Sequence, residues 1–546
     1  MFKLTNPQNN IWNNEIFFHD TNINNICGYG IIKEVMDFEK FKESIYILVK
    51  NNDSFRIRLC LENGIPCQFI SDFSEFDIEI IDVNSEEEFS KILNSTVSEK
   101  FDIFNSNLFK AKLARFSNGY GALILNVHHI ISDSWSLGIT IQEVVKIYHC
   151  LVRGETYVSD TSSYLDYISS EERYMSSNLF SKDKLFWNSY LQDLPIPVGI
   201  PYSSNNHSNS SAGSRATFYI DIPMMNKIAD LCEKLHISNY VFFMSVISLF
   251  LANSANTDDI LIGTPILNRS NFKEKRSTGM FVTTVPFRTK VSENMHFSEF
   301  LTTNRTHLTS ILRHQKYPYS CIMDDLSENS DKISHLYNVA VSYQITKTLS
   351  RDIGDYETDW IFTGNCMNDV SIHLYDLNDT GALKIDYDFI NSKYTLDNVR
   401  SWHLRILSMI EQILDNPDLC IHDIQFITDD EKSLILNKFN NRTLSFPTCS
   451  SVVELFEKQV LSCPDNIACV YNNIRLSYIE LNKLVNKFAR FLSENGVKKG
   501  DIVGVCMDKN DLFIVSILAV LKLGAAYLPI HPDYPEDRIS YILSDS

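Results

Sequence analysis

The run GALILNV, from Gly121 to Val127, is almost wholly apolar, shows no alternation, and ends directly on His128 and His129. A short apolar run of this kind reads as a buried strand, which commits the chain to a sheet covered by other layers. Beyond SDSWS, the segment LGITIQEVVKIYHCLV repeats its apolar residues at the helical period, so the strand feeds a helix. The two histidines are thereby placed at a strand end and in a loop, where rigid scaffolds carry reacting groups.

Helix and strand patterns recur on both sides of this element. Asp37 is suited to cap a helix whose face carries Phe38, Phe41, Ile45 and Leu48; the helix leads into NNDSFRIRL, where Phe55, Ile57 and Leu59 alternate like a strand. The Ser/Asn-rich stretch Pro201 to Ser214 reads as a connection between two halves. After it, Met224, Ile228, Leu231 and Leu235 line a helix face, Asn239 to Ala252 forms a longer helix, and ILIGTPI and FVTTVPFR read as strands. The α+β pattern thus occurs twice, which predicts one lobe over 1–175 and a second over 176–435. Residues 436–450 are polar and aperiodic, a linker, and a new α/β unit occupies 451–546. In that unit a strand precedes a helix with the stripe Leu481, Leu484, Val485, Phe488 and Leu492, which Gly496 ends.

With 546 residues, three or four compact units are expected at roughly 100–200 residues each. A formal charge of -19 repels phosphate backbones and anionic membranes, so nucleic acid is excluded as the obvious partner. The 12 cysteines are scattered without a CxxC pair and read as reduced thiols in a cytoplasm; the N-terminus lacks the pattern of a signal peptide. The apolar run Leu512 to Ile530 is interrupted by Lys522, Gly524 and Pro529, which fit a helix ending near Leu523 and a buried strand AYLPI better than a membrane span.

The chemistry concentrates in VHHIISDSWS, with His128, His129 and Asp133. Adjacent side chains on extended backbone point in different directions, so one histidine faces a cavity while its neighbour supports it. Imidazole suits a general base acting on an amine. Asp133 is expected to pair with a buried arginine, because an unpaired buried carboxylate is costly. No further ligands stand nearby for zinc, and neither a GxSxG elbow nor a GxxxxGK[ST] loop occurs.

HHIISDS resembles the HHxxxDG signature of the condensation domains of nonribosomal peptide synthetases, which group with the chloramphenicol acetyltransferase-like acyltransferases. Further landmarks of that family follow in order: LTNPQNNIW, NNDSFRIRL, SYLDY, TGMFVTTVPFR, HQKYPYS and HLYNVAVSYQ. The resemblance covers about residues 1–435 and implies an α+β fold of two such lobes in a V-shaped pseudo-dimer, with a tunnel between them and a thioester entering from each side. It makes His129 the catalytic histidine, His128 its structural neighbour, and Asp133 a loop-shaping residue paired with Arg56. Ser134 stands where the signature has Gly, and Ser134 and Trp135 are expected beside the tunnel; a positive φ at Ser134 would cost about a kcal/mol or more.

The surroundings, TNINNICG, STGMFVTTVPFRT, RHQKYPYS and the segment Gly364 to Phe389, resemble starter condensation domains of surfactin-like lipopeptide synthetases, as does the absence of room upstream for a further module. That resemblance implies transfer of a fatty acyl group from acyl-CoA to an aminoacyl thioester on the phosphopantetheine arm of a carrier protein, with no tightly bound cofactor. An elongation domain taking a peptidyl donor, or a non-catalytic recruitment platform, are the alternatives. LSYIEL and LKLGAAYLPIHPDYP resemble the first core motifs of adenylation domains, so 451–546 is expected to be an N-terminal fragment that needs the rest of that domain and exposes an apolar face. Because CoA is anionic and the chain acidic, a local Lys/Arg cluster is expected at the donor entrance.

Overall fold

A computed structural model describes residues 1–18, 21–202, 210–327, 335–345, 356–377, 381–441 and 451–546. They divide into two compact units, Met1–Leu434 and Ile435–Ser546.

The larger unit is built on two large sheets, with a small third one of Phe2–Lys3, Ile65–Ile70 and Ile57–Glu62 beside them. In the first, strands run in the order Tyr356–Ile361, Asn25–Ile32, Gly121–His128, Phe109–Phe116 and Glu79–Val83. Gly121–His128 is the middle strand and every one of its residues is buried. Its lack of alternation has a direct cause. Leu123, Leu125 and Val127 pack into a core with Phe41, Ile45 and Leu48 of the helix Phe38–Asn51 and with Leu137 and Val144 of the helix Ser134–Arg153. Ala122 and Ile124, on the opposite face, pack against Phe89 and Leu93 of the helix Glu86–Val97.

The second sheet has the order Thr283–Lys290, Asp259–Ile266, Val339–Ile345, Val370–Leu377, Ala382–Ile390 and Gly213–Ile220. The helix Asn239–Ala255 is buried against it along most of its length, which explains an apolar run too short for a bilayer. Residues 1–175 supply four of the five strands of the first sheet. The fifth, Tyr356–Ile361, is a crossover strand: it follows a strand of the second sheet in the chain, yet pairs antiparallel with Asn25–Ile32. There Gly28 faces Trp360, and a Cβ at Gly28 would lie 2.8 Å from the indole, so the pairing needs a residue without a side chain.

The expected elements hold with local differences. Asp37 caps its helix by accepting the Lys40 N–H. NNDSFRIRL is a strand only from Ile57; Asp53–Arg56 forms a 3-10 turn that tucks Phe55 into the core, which mimics one step of strand alternation. Within the expected connection Pro201 to Ser214, residues 203–209 lie outside the described residues, and Gly213 already begins a strand. The expected linker is helical at its start, Leu434–Phe439, and residues 442–450 lie outside the described residues.

In Ile435–Ser546, Ser477 and Glu480 cap the helix Tyr478–Glu494 reciprocally. Leu481, Val485 and Ala489 pack on Val515 and Ala519 of the helix Asp511–Lys522. That helix ends at Leu523, Gly524 turns the chain with φ of 73°, and Ala526–Ile530 pairs in parallel with Ile502–Cys506; the expected burial of this strand is corrected, since only Ile530 is buried and Ala526, Tyr527 and Pro529 are exposed. Leu484, Phe488, Phe491, Met507 and Leu512 line an apolar depression of about 480 Å³. Among the described residues no single helix is long and apolar enough to cross a membrane.

Candidate functional site

The middle strand of the first sheet ends by splitting its two histidines. His128 lies opposite Asn25 across the ladder and is 2% exposed. Its Nδ1 accepts the Ile130 N–H at 3.2 Å and its Nε2 meets Glu15 Oε2 at 3.3 Å, so Nε2 carries the proton. His129 begins the 3-10 turn that follows, where the Asn24 carbonyl takes its backbone N–H at 2.7 Å. Its Nδ1 lies 2.9 Å from the Ser132 carbonyl, which can only accept, so Nδ1 carries the proton and Nε2 the lone pair. Burial lowers the His129 pKa against the opposing pull of Asp133 and of backbone carbonyls, so the ring is neutral around pH 7. Two adjacent imidazoles thus have opposite tautomers, one locked in structure and one with a basic nitrogen to offer.

Asp133 is fully buried and caps the helix Ser134–Arg153. One carboxylate oxygen accepts from Ser136 N and Oγ, both at 2.8 Å; the other accepts from the backbone N–H groups of Phe281 and Val282 at 3.0 and 3.2 Å. Its ionic partner is Arg269, also fully buried, through Nη1 at 2.8 Å and Nη2 at 3.0 Å. Burial pushes the Asp133 pKa up, but Arg269 and these hydrogen bonds outweigh it and hold the carboxyl below its usual range.

The expected pairing of Asp133 with Arg56 is therefore corrected. Arg56 closes the 3-10 turn on Asp53, 2.8 Å away, and donates to the Ser71 carbonyl at 3.0 Å. The turn geometry brings residues three apart together and leaves no reach toward Asp133. The arginine that does reach it stands 136 residues along the chain, after the strand Asp259–Ile266 of the second sheet. Arg269 was missed because only tertiary structure brings the two together; the one sequence signal is an arginine three residues after the strand ILIGTPI. Gly279 completes the junction. With φ of 148° and a would-be Cβ 2.2 Å from the Tyr164 ring, it lets the segment reach Ser136, whose Oγ its N–H meets at 3.0 Å.

His129, Asp133 and Ser134 line a cavity of about 310 Å³ together with Ile23, Cys27, Trp360 and, from the second sheet, Arg215, Ser342, His373 and Asp388. Ser134 is the first residue of its helix and is not among the residues with positive φ, so the expected strain is absent and the hydroxyl costs the backbone nothing. Ser134→Gly is accordingly expected to change the melting midpoint by no more than the equivalent of about 1 kcal/mol, checked by thermal denaturation; a gain above that would reveal hidden strain. Trp135 stands outside the lining residues, and its indole Nε1 donates to the Lys275 carbonyl at 3.0 Å. It ties the helix start to the segment that carries Lys273, Lys275 and Arg276.

Residues 1–436 match the condensation domain family, and residues 456–546 match the AMP-binding enzyme family. Surfactin synthase subunit 1 of Bacillus subtilis (strain 168) is 32% identical over 554 aligned residues, covering 100% of this chain and 15% of that protein. Bacitracin synthase 2 of Bacillus licheniformis is 26% identical over 518 aligned residues, covering 94% of this chain and 19% of that protein. The chain therefore spans less than a fifth of the length of these two relatives. Among solved structures, a variant of the starter condensation domain of rhizomide synthetase RzmA in complex with C8-CoA aligns with a TM-score of 0.69 at 18% identity, over 78% of this chain and 98% of that one. The first condensation domain of the calcium-dependent antibiotic synthetase aligns with a TM-score of 0.69 at 15% identity, over 78% of this chain and 99% of that one. The two sheets, the histidine pair at the end of a central strand and these matches together place the chain in the condensation domain family, the amide-forming acyltransferases of nonribosomal peptide synthetases, followed by the start of an AMP-binding domain.

Proposed function

We propose that residues 1–435 form a starter condensation domain of a cytoplasmic peptide synthetase, moving a fatty acyl group from acyl-CoA to an aminoacyl thioester on the phosphopantetheine arm of a carrier protein. The observation that carries this reading is His129: a neutral imidazole whose proton is fixed on Nδ1, lining a cavity between elements of both sheets. The amine nitrogen attacks the thioester carbonyl, Nε2 of His129 accepts a proton from it, and the CoA thiolate leaves as the amide forms. His128 and Glu15 brace the strand end that positions His129, and the Asp133–Arg269 pair holds the turn from below. Because a thioester is already activated, bringing both reactants into one cavity supplies much of the acceleration.

One further observation supports the acyl-CoA donor: the solved relative with C8-CoA has the same fold. The cavity of about 220 Å³ that holds Arg173 and Lys273 does not supply the expected basic cluster, because Asp166 and Glu274 line it as well. The apolar depression of Ile435–Ser546 fits the remainder of an adenylation domain as its cover. The test is to incubate the protein with octanoyl-CoA and aminoacyl carrier protein. An N-octanoyl-aminoacyl carrier is the expected product by mass spectrometry; product only from a peptidyl-carrier donor would identify an elongation domain, and binding without turnover of either donor would identify a recruitment platform.

A further inference from the structure

A second set of titratable groups faces the cavity from the other sheet. Ser342 and His373 are register partners on the parallel strands Val339–Ile345 and Val370–Leu377, with Ser342 Oγ 2.8 Å from His373 Nδ1. His373 Nε2 lies 3.3 Å from Asp388 Oδ2, and Arg215 grips both oxygens of Asp388 at 2.7 and 2.9 Å while its guanidinium lies against Phe362. All four residues line the cavity that His129 lines. The other titratable neighbours are Asp386, opposite His373 in the ladder and 3.4 Å from Arg215; Lys384, which bridges Asp386 at 3.5 Å and Asp359 at 3.0 Å; the phenol of Tyr375; and the Cys366 thiol, which burial pushes up to about 12.

The proton positions follow from this order. Burial raises the Asp388 pKa, but Arg215 and His373 more than offset it and hold it at about 2, so Asp388 is a carboxylate throughout the working range. A carboxylate at Nε2 takes the proton-bearing nitrogen, which leaves Nδ1 as an acceptor for the Ser342 hydroxyl. The chain of donors therefore runs from the cavity through Ser342 to His373.

The chemistry of amide formation calls for such an outlet. An α-amino group titrates near 7.7–8.0, so an aminoacyl acceptor arrives mostly as an ammonium ion. Its nitrogen has to shed one proton before it can attack and another after it has attacked. His129 has one lone pair and accepts one proton.

Building on the acyl-transfer function proposed above, we propose that Ser342, His373 and Asp388 form a second proton outlet that converts the acceptor ammonium to the attacking amine. The ammonium N–H is donated to Ser342 Oγ as the Ser342 proton passes to His373 Nδ1, and Asp388 stabilises the imidazolium. The freed lone pair forms the C–N bond, the second proton goes to His129 Nε2, and the C–S bond breaks with its electron pair leaving on sulfur. The thiolate takes the proton from His129, and His373 returns its proton to water between turnovers.

The experiment is a single-turnover rate profile from pH 6 to 9.5 with octanoyl-CoA and aminoacyl carrier, comparing the wild type with His373→Gln and Ser342→Ala. Gln retains hydrogen-bonding groups toward Ser342 and Asp388, and Ala leaves the His373–Asp388 pair intact, so either variant can carry the test if the other misfolds. Both are expected to lose about 5-fold at pH 7, where the acceptor amine is mostly ammonium, and to come within about 2-fold of the wild type above pH 9, where the amine is already neutral in water. A loss of equal size at every pH, as from a merely architectural role, overturns the proton outlet, and so does no loss at all. A wild type that forms no amide at any pH overturns the function itself and the outlet with it; an active wild type with unshifted variants overturns the outlet alone.

Discussion

His129→Ala is expected to lower the rate of amide formation by about 10²–10⁴-fold while leaving the protein folded. The argument rests on where its protons are. Ser132 fixes Nδ1–H, so Nε2 is the basic atom, and burial keeps the ring neutral to a lower pH than a free imidazole. The alanine variant removes that atom but keeps the buried lattice beneath it, because Asp133 is bonded to Arg269, Ser136, Phe281 and Val282 and not to the His129 side chain. The residual rate measures how much of the acceleration comes from confinement alone. Single-turnover product formation, with circular dichroism as the control for folding, checks this; a variant within threefold of the wild type would remove His129 from the chemistry.

Arg269→Met is expected to be the most damaging single substitution outside the chemistry, costing about 3–5 kcal/mol because it leaves a buried carboxylate uncompensated. The same change at Arg56 is expected to cost no more than about 1 kcal/mol, since its partner Asp53 stays partly solvated three residues away. Denaturant or thermal unfolding of the two variants decides between them, and equal stability losses would refute the assignment of Arg269 as the essential partner. The pH dependence adds a sign. The Asp133 pKa is depressed in the folded state, so its contribution to stability is complete above the ordinary carboxylate range and is lost as pH falls through the folded value. In Arg269→Met burial is no longer opposed by the guanidinium and the Asp133 pKa rises, so the sign reverses: this carboxyl destabilises the variant at neutral pH, and acidification that protonates it narrows the stability gap to the wild type.

What could be read in the amino-acid order was local. Asp37 with Phe41, Ile45 and Leu48 gave the helix Phe38–Asn51, and Leu512 to Ile530 gave helix, glycine turn and strand, because caps, periodicity and turn residues act within a few positions. The middle strand was legible for the same reason, since burial on both faces removes alternation. The His128, His129 and Asp133 cluster was legible as chemistry, but its partners were not. Glu15 and Arg269 come from positions 113 and 136 residues away, and no local pattern encodes that distance. Ser342, His373 and Asp388 were invisible for a related reason: each sits alone in a strand sequence, and only the ladder registers line them up.

The crossover strand has a consequence for anyone who would recombine such proteins. A cut near residue 175 follows the sequence division into two halves, but Tyr356–Ile361 completes the edge of the first sheet and fills the space over Gly28 with Trp360. A chimaera that joins one protein's first half to another's second half inherits a foreign strand along Asn25–Ile32, and a first half made alone presents that edge, with its unpaired amides and carbonyls, to any other chain. The natural unit of exchange is thus discontinuous: the leading half together with one six-residue strap borrowed from far downstream.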